Sequence, residues 1–312
     1  MLCLSAAVFS GQINNWSELG GPDASITLYV PQARSNTWVA FDNTVMRAER
    51  ARLNASANVL ETNAEVADAL ASDNFGIGVT TYSKLGNAQP MTIGGTCGIR
   101  TEANPFTIKT EEYPLAFRLY TYKNATRSPA VVDSFLNFLD TNAAEEILRE
   151  NGFVSEAAAS VKVNEQGNRF ASIFLASDEE MRMEDLQVMM QSLIAAERLS
   201  ITFRFEQGGA SLDGRALSDL DQLAKLIADG SFNRKDILLV GFTDSVGPGE
   251  LNQLLSQQRA EEVRNELLQR LPQSALSNVN IISSGYGEVS PLGCNETFNG
   301  RRINRRVEVW VR

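Results

Sequence analysis

An unbroken apolar run, ILLVGF at 237–242, ends in Thr243-Asp244, turns through Ser245, Gly247, Pro248 and Gly249, and enters a long stretch of helical spacing at 249–270. A run with no polar alternation reads as a buried strand. Its carboxyl end is the place where open α/β sheets bind ligands, so Thr243 and Asp244 emerge at that edge. Pro248 suits the first turn of the helix that follows. Around this unit the order is regular: strand 199–205, helix 215–229, strand 237–242, helix 249–270, strand 280–286 and strand 305–311. Strand–helix–strand–helix–strand predicts a sheet with both helices packed on it by right-handed crossovers. In the last strand Val307, Val309 and Val311 share one face while Glu308 and Trp310 share the other, so one side is expected to be core.

In the helix after the turn, Asn252, Leu255, Ser256, Arg259, Ala260 and Val263 fall on one face. A core-facing stripe that contains an arginine needs an anion, because an unpaired buried guanidinium is costly. Asp244 is one candidate, which makes a pair pinning the turn to the helix. An acid and a base held apart are also the complement of a zwitterion: the carboxylate receives an ammonium and the guanidinium fork receives a carboxylate. Spacing leaves both readings open.

Composition removes several chemistries. The chain of 312 residues has no histidine, which excludes Ser-His-Asp and Cys-His nucleophile systems, HExxH metalloproteases and His-ligated zinc. Neither a Walker A run nor a GxSxG elbow is present, so no catalytic residue, cofactor or metal is expected. A formal charge of −10 argues against a nucleic-acid partner. Cys3, Cys97 and Cys294 form no CxxC pattern, and their odd number suits either a reduced compartment or a missing partner cysteine. The opening MLCLSAAVF has no preceding basic residue, is short for a signal h-region and is far too short to span a bilayer; it reads as the end of an amphipathic helix that starts upstream.

The chain divides at a small, polar stretch around 156–177. Before it, β-rich runs at 26–30, 75–82 and 115–122 alternate with helical stretches, notably 129–150, where Val132, Phe135, Leu136, Leu139, Ile147 and Leu148 recur at near-helical spacing. After it comes a helical segment from about 178 to 196 with Met181, Leu186, Met189 and Met190 on its apolar side, read as flexible packing. The expected domains are 1–155, a connector with a helix at 156–196, and 197–312, the last able to fold alone.

The C-terminal stretch resembles the OmpA-like peptidoglycan-binding domain over roughly 197–312. The matching residues are Thr243-Asp244 with Gly247, then Asn252, Leu255-Ser256, Arg259-Ala260 and Val263, then Gly285-Tyr286-Gly287-Glu288, and finally Asn304-Arg305-Arg306-Val307-Glu308. The resemblance implies a βαβαββ fold in which Asp244 and Arg259 clamp the ammonium and carboxylate of diaminopimelate in the peptidoglycan stem peptide. Asn252, Thr243 and an arginine of the turn, Arg305, assist. The loop from Glu288 to Asn304 holds a lone Cys294, so a disulfide within that loop is not expected and Cys294 is read as a packed or free thiol.

The N-terminal stretch is similar to PstS-like, phosphate-type periplasmic solute-binding proteins over about 8–154. The resemblance rests on VFSGQINNW at 8–16, ITLYVPQARSNTWVAF at 26–41, FGIGVTTYSKL at 75–85, YPLAFRLYTY at 113–122 and the helix within 131–154. It implies a partial type II periplasmic-binding-protein fold, and an oxyanion held near Arg34, Ser35 and Thr37, although Asn36 stands where the family has glycine. The family's opening lobe has no counterpart before Val8, so Met1 is read as a truncated or mis-assigned start, and phosphate binding is expected to be millimolar or weaker.

The fold class expected is therefore α/β (α+β), a partial solute-binding domain followed by a βαβαββ domain. The function expected is a non-enzymatic, periplasmic cell-wall-binding protein, associated with the wall or outer membrane on the strength of family alone, with no membrane span. The alternative makes capture or sensing of phosphate or another oxyanion the main task and the wall domain a tether.

Overall fold

Two bodies of contacts divide the chain, and neither is a continuous stretch: one comprises Met1–Ile93 and Phe117–Ala157, the other Gly94–Ala116 and Ala158–Arg312. The structure, a computed structural model, describes residues 2–95, 97–124, 126–167, 169 and 183–312. Met181 of the expected connector helix lies outside the described residues.

The first body is built on a small parallel sheet in which Thr27–Pro31 lies between Asn58–Leu60 and Gly76–Gly78. Helix Leu2–Ser10 and the helical turns over Asn36–Met46 enclose Val8, Phe9, Val30, Trp38, Phe41, Val45 and Met46. The Phe9 and Phe41 rings meet at 4.8 Å. Trp16, which opens the helical turn Trp16–Leu19, is half-buried and donates its indole N–H to the Phe75 carbonyl at 3.0 Å.

Two expectations for this body fail. LAFRLYTY at 115–122 forms no strand, and Phe117, Leu119, Tyr120 and Tyr122 are exposed. β-propensity only suits a segment to a half-buried pleated surface, and among the described residues no neighbouring strand supplies that surface. The single helix expected over 129–150 is two, Ala130–Leu139 and Asn142–Glu150, because Thr141 accepts the Ala144 amide and caps a second start. No residue of the first of these helices is fully buried, and its apolar stripe, with Val132, Leu136 and Leu139, is only half-covered among the described residues.

The second body holds a five-stranded sheet. Its strands are β1 (Ser160–Lys162), β2 (Glu197–Arg204), β3 (Asp236–Phe242), β4 (Asn280–Gly285) and β5 (Arg306–Val311), in spatial order β1-β2-β5-β3-β4. β5 runs antiparallel to β2 and β3, while β3 and β4 are parallel. The helices of this body include α1 (Met183–Leu193), α2 (Gly214–Ala228), α3 (Gly249–Arg270) and α4 (Phe298–Asn304). α2 starts where the Asp213 carboxylate accepts the amides of Arg215 and Ala216.

One face of the sheet buries Ile201, Phe203, Ile237, Leu239, Val307, Val309 and Val311 against α2 and α3 through Leu220, Leu223, Ala260, Val263 and Leu267. The opposite face, not expected to be core, is also closed. Leu186, Met189 and Leu193 of α1 pack with Leu238, Val240, Phe242, Tyr286 and Trp310. The stretch 156–196, expected as a connector, thus contributes an edge strand and a core helix to this body.

A charged layer lies beside Trp310 on that second face. Glu308 accepts from Arg306 Nε at 2.6 Å, from Arg169 Nη2 at 2.9 Å and from the Trp310 indole at 2.9 Å, and Arg198 Nε stands 3.3 Å away. Burial pushes the Glu308 pKa up, but Arg169, Arg198 and Arg306 outweigh it and hold the carboxyl well below the usual range. Burial pushes Arg306 down to about 9 against the pull of Glu308. Glu112, from the inserted segment 94–116, pairs with Arg198 out of solvent. No described helix is long and apolar enough to cross a membrane.

Candidate ligand site at the end of the central strands

The polar stripe of α3 is explained by two glycines. Gly241 and Gly285 are register partners on β3 and β4. A Cβ at Gly241 would stand 2.0 Å from the Ser256 carbonyl oxygen, and one at Gly285 would stand 2.2 Å from the Gln257 amide. The pair therefore forms a notch into which the second turn of α3 sits, closer than any larger residue permits. Hydrogen bonds stitch it in place: Ser256 Oγ accepts the Gly287 amide at 2.8 Å, Gln257 accepts the Gly285 amide at 2.7 Å and Gln253 donates to the Gly285 carbonyl at 2.6 Å. Asn252, Ser256, Arg259, Ala260 and Val263 are all buried as their spacing predicts, whereas Leu255 is half-buried.

Held this way, Arg259 is wholly removed from solvent. Its Nε donates to the Gly209 carbonyl at 2.8 Å, Nη1 to the Phe242 carbonyl at 3.3 Å and Nη2 to the Glu206 carbonyl at 3.1 Å, and the guanidinium lies over the Phe205 ring at 5.2 Å. Among the described residues it makes no ion pair. Burial first, and the Arg305 charge second, push its pKa down to about 10, with Asp244 acting in the opposite sense.

Asp244 is buried too, and its ion partner is Arg305, not Arg259: Arg305 Nη1 donates to Oδ2 at 2.8 Å, and Arg305 Nε to the Phe205 carbonyl at 3.0 Å. Its other oxygen accepts the Val246 amide at 3.3 Å. A simple Asp244–Arg259 bridge pinning turn to helix is therefore not what the fold contains. Thr243 donates its amide to the Gly287 carbonyl, while its buried hydroxyl has no hydrogen-bond partner among the described residues. Asn252 turns to Glu288, donating to its carboxylate at 3.2 Å. The structure thus places Thr243, Asp244, Arg259 and Arg305 around the ends of β2, β3 and β5, with Asn252 and Glu288 at the flank.

Sequence reasoning missed what holds the opposite loop. Asn295 accepts the Ser245 amide at 3.3 Å and an Asn304 N–H at 2.8 Å, and Asn304 in turn accepts the amides of Leu292 and Gly293. Next to it Cys294, expected as a packed or free thiol, is in a disulfide with Cys97. The two cysteines are 197 residues apart, and no spacing signal connects them.

The residues expected to hold an oxyanion in the first body have other partners. Ser35 Oγ accepts the Trp38 amide at 3.1 Å as a helix cap, Thr37 Oγ1 accepts from Asn63 at 3.0 Å, and Arg34 is exposed.

Comparison with known proteins finds a match in each half of the chain. Residues 204–305 match the model of the OmpA family, and residues 5–142 match that of a PBP superfamily domain. The chain is 33% identical over 114 residues to outer membrane porin F of Pseudomonas fluorescens, covering 36% of this chain and 33% of that protein. It is 22% identical over 154 residues to the phosphate-binding protein PstS of Borreliella burgdorferi, covering 48% of this chain and 55% of that one. Over 75 residues it is 37% identical to the peptidoglycan-binding protein ArfA of Mycobacterium tuberculosis, covering 24% of this chain and 22% of ArfA. The chain accordingly spans about a third of porin F and about half of PstS.

Proposed function

From a chain that joins a PBP-like domain at 5–142 to an OmpA-like domain at 204–305, we propose a non-enzymatic protein of the cell envelope whose second body binds the diaminopimelate of the peptidoglycan stem peptide. Both families are binding families, and the proposed role of the first body is that of the module the wall domain anchors. The location proposed is the periplasm, at the wall or outer membrane.

The observation that carries this reading is Arg259. A guanidinium out of reach of solvent, with its pKa already pushed down to about 10, carries positive charge that no ion pair among the described residues compensates, in a site that also holds a buried carboxylate. A ligand with one carboxylate and one ammonium compensates both: its carboxylate meets Arg259 and Arg305, and its ammonium meets Asp244. The free Thr243 hydroxyl supplies a further hydrogen bond. Ser35 and Thr37 have internal partners, and no observation at Arg34 favours oxyanion capture as the main task.

The test is sedimentation with purified diaminopimelate-type sacculi. Because Arg259 also ties down three backbone carbonyls, truncating it to alanine confounds binding with folding. Thr243→Val avoids this, since the hydroxyl has no hydrogen-bond partner among the described residues. It should leave the melting temperature unchanged and weaken wall binding by about fivefold, the equivalent of one neutral hydrogen bond. Unchanged binding by both Thr243→Val and Asp244→Asn would refute the assignment.

A further inference from the structure

The second body contains one piece that arrives from the middle of the N-terminal half. Gly94–Ala116 leaves the first body after Ile93 and the chain returns to it at Phe117. Two of its contacts in the second body, the Cys97–Cys294 bond and the Thr110 carbonyl on Arg204, lead to the loop beside the candidate site. At one end Cys97 is bonded to Cys294, whose carbonyl accepts from Thr297 at the cap of α4 and whose backbone lies so close to Gly300 that a Cβ there would stand 2.0 Å from the Cys294 oxygen. Asn295, the next residue, holds the Ser245 amide beside Asp244 and is itself held by Arg301, which donates to its carbonyl at 2.7 Å. At the other end the Thr110 carbonyl accepts from Arg204, whose second nitrogen donates to the Ile303 carbonyl of α4. Glu111 pairs with Arg215 at the start of α2, and Glu112 pairs with Arg198, which also lies over the Phe106 ring at 5.3 Å.

We propose that Gly94–Ala116 is a brace for the ligand loop and that the Cys97–Cys294 bond makes wall binding respond to thiol–disulfide exchange; this rests on the peptidoglycan-binding reading above. The loop over 292–304 is gripped from both sides, by the disulfide at Cys294 and by Arg204 at Ile303. Release of the covalent grip leaves Asn295 held by hydrogen bonds alone and removes one support of the turn that carries Asp244, whose ion pair with Arg305 remains. The chemistry is an ordinary exchange with a dithiol. One thiolate of the reductant attacks a sulfur of the Cys97–Cys294 bond to form a mixed disulfide, and its second thiol displaces the protein. Two electrons and two protons pass to the protein, which leaves with thiols at Cys97 and Cys294, while the dithiol leaves as its own disulfide. The bond closes a span of 197 residues, so its loss frees a large ensemble of open states.

The experiment uses the full chain in a Cys3→Ser background, oxidised, reduced with a dithiol, and as the Cys97→Ser/Cys294→Ser variant. Two readouts are taken: sedimentation with purified sacculi, and amide exchange resolved by segment. In the absence of sacculi, reduction should speed exchange across 289–297 and 97–112 by about tenfold or more while β3 stays protected. With sacculi, reduced protein and the double variant should bind about fivefold or more weakly than oxidised protein, a coupling of ordinary size. Failure of oxidised protein to sediment counts against the wall-binding reading, whereas the exchange readout judges the brace by itself. Identical exchange in both redox states overturns the proposal. So does loss of protection throughout β3, which would make the bond a support of the whole fold, and so does faster loop exchange with unchanged sedimentation.

Discussion

At Arg259 a full charge is buried on three carbonyl oxygens and an aromatic face, and this fixes how binding should depend on pH. A guanidinium with a folded pKa near 10 instead of 12.5 costs the fold stability below pH 10, a cost relieved as pH rises from 10 to 12.5. A ligand carboxylate stabilises the charged form and raises that pKa. Binding measured near pH 10 should therefore take up protons, seen as a dependence of calorimetric enthalpy on buffer ionisation heat that is absent at pH 7; equal enthalpies in all buffers at both pH values would mean that Arg259 meets no anion. Glu308 has the opposite sense. Its folded pKa lies below the ordinary 4.5, so its stabilising contribution is present above that value and is lost as pH falls through the acid range. Glu308→Gln should cost about 3–5 kcal/mol in denaturant unfolding, because it leaves Arg169, Arg198 and Arg306 buried around a neutral amide. A loss under about 1 kcal/mol would show that solvent reaches the cluster.

At the level of elements, the seat of α3 on β3 and β4 determines where Arg259 lies. Gly285→Ala puts a methyl group 2.2 Å from the Gln257 amide and 2.4 Å from the Ser256 hydroxyl, with backbone on one side and no rotamer to escape into. Unfolding should be easier by about 1–3 kcal/mol or more, and wall binding should weaken even where the variant is folded, since the helix must lift; a neutral effect would mean that the notch is not needed. Strands β2 to β5 and helices α1 to α3 were legible because each carries its own signal, such as the apolar runs of β2 and β3, the stripe at helical spacing of α3, and the proline and glycines at the turn; β1 and α4, short and polar, were not read. The polar residues of that stripe were legible as odd, but not their partners, since Glu206, Gly209 and Phe205 reach Arg259 through the fold and carry no local mark. The runs at 115–122 and 129–150 failed for the converse reason. The first run has a clear local signal but no neighbouring strand among the described residues, and the second is broken by the cap at Thr141, which starts a new helix.

For the whole molecule, the order of domains in sequence and the composition of the bodies in space are different things. The sequence has a texture change near 156–177, and reading the domains from it gave 1–155, 156–196 and 197–312. The contacts instead gather 94–116 with 158–312, because Glu111, Glu112 and Cys97 find arginines and a cysteine far along the chain. Such long-range pairs leave no periodic trace. The same is true of β5, whose alternation suggested one core face and whose other face is covered by α1 and by a buried charge cluster. What the second body offers is a buried cation, Arg259, that makes no ion pair among the described residues, and ligand chemistry tests the proposed wall binding most directly. Calorimetry of the full, oxidised chain with two soluble stem peptides, identical except for diaminopimelate or lysine at the branching residue, changes a single carboxylate. The account predicts that the lysine peptide binds about ten- to a hundredfold more weakly, the worth of one charge-assisted contact to Arg259. Equal affinities for the two peptides would contradict it.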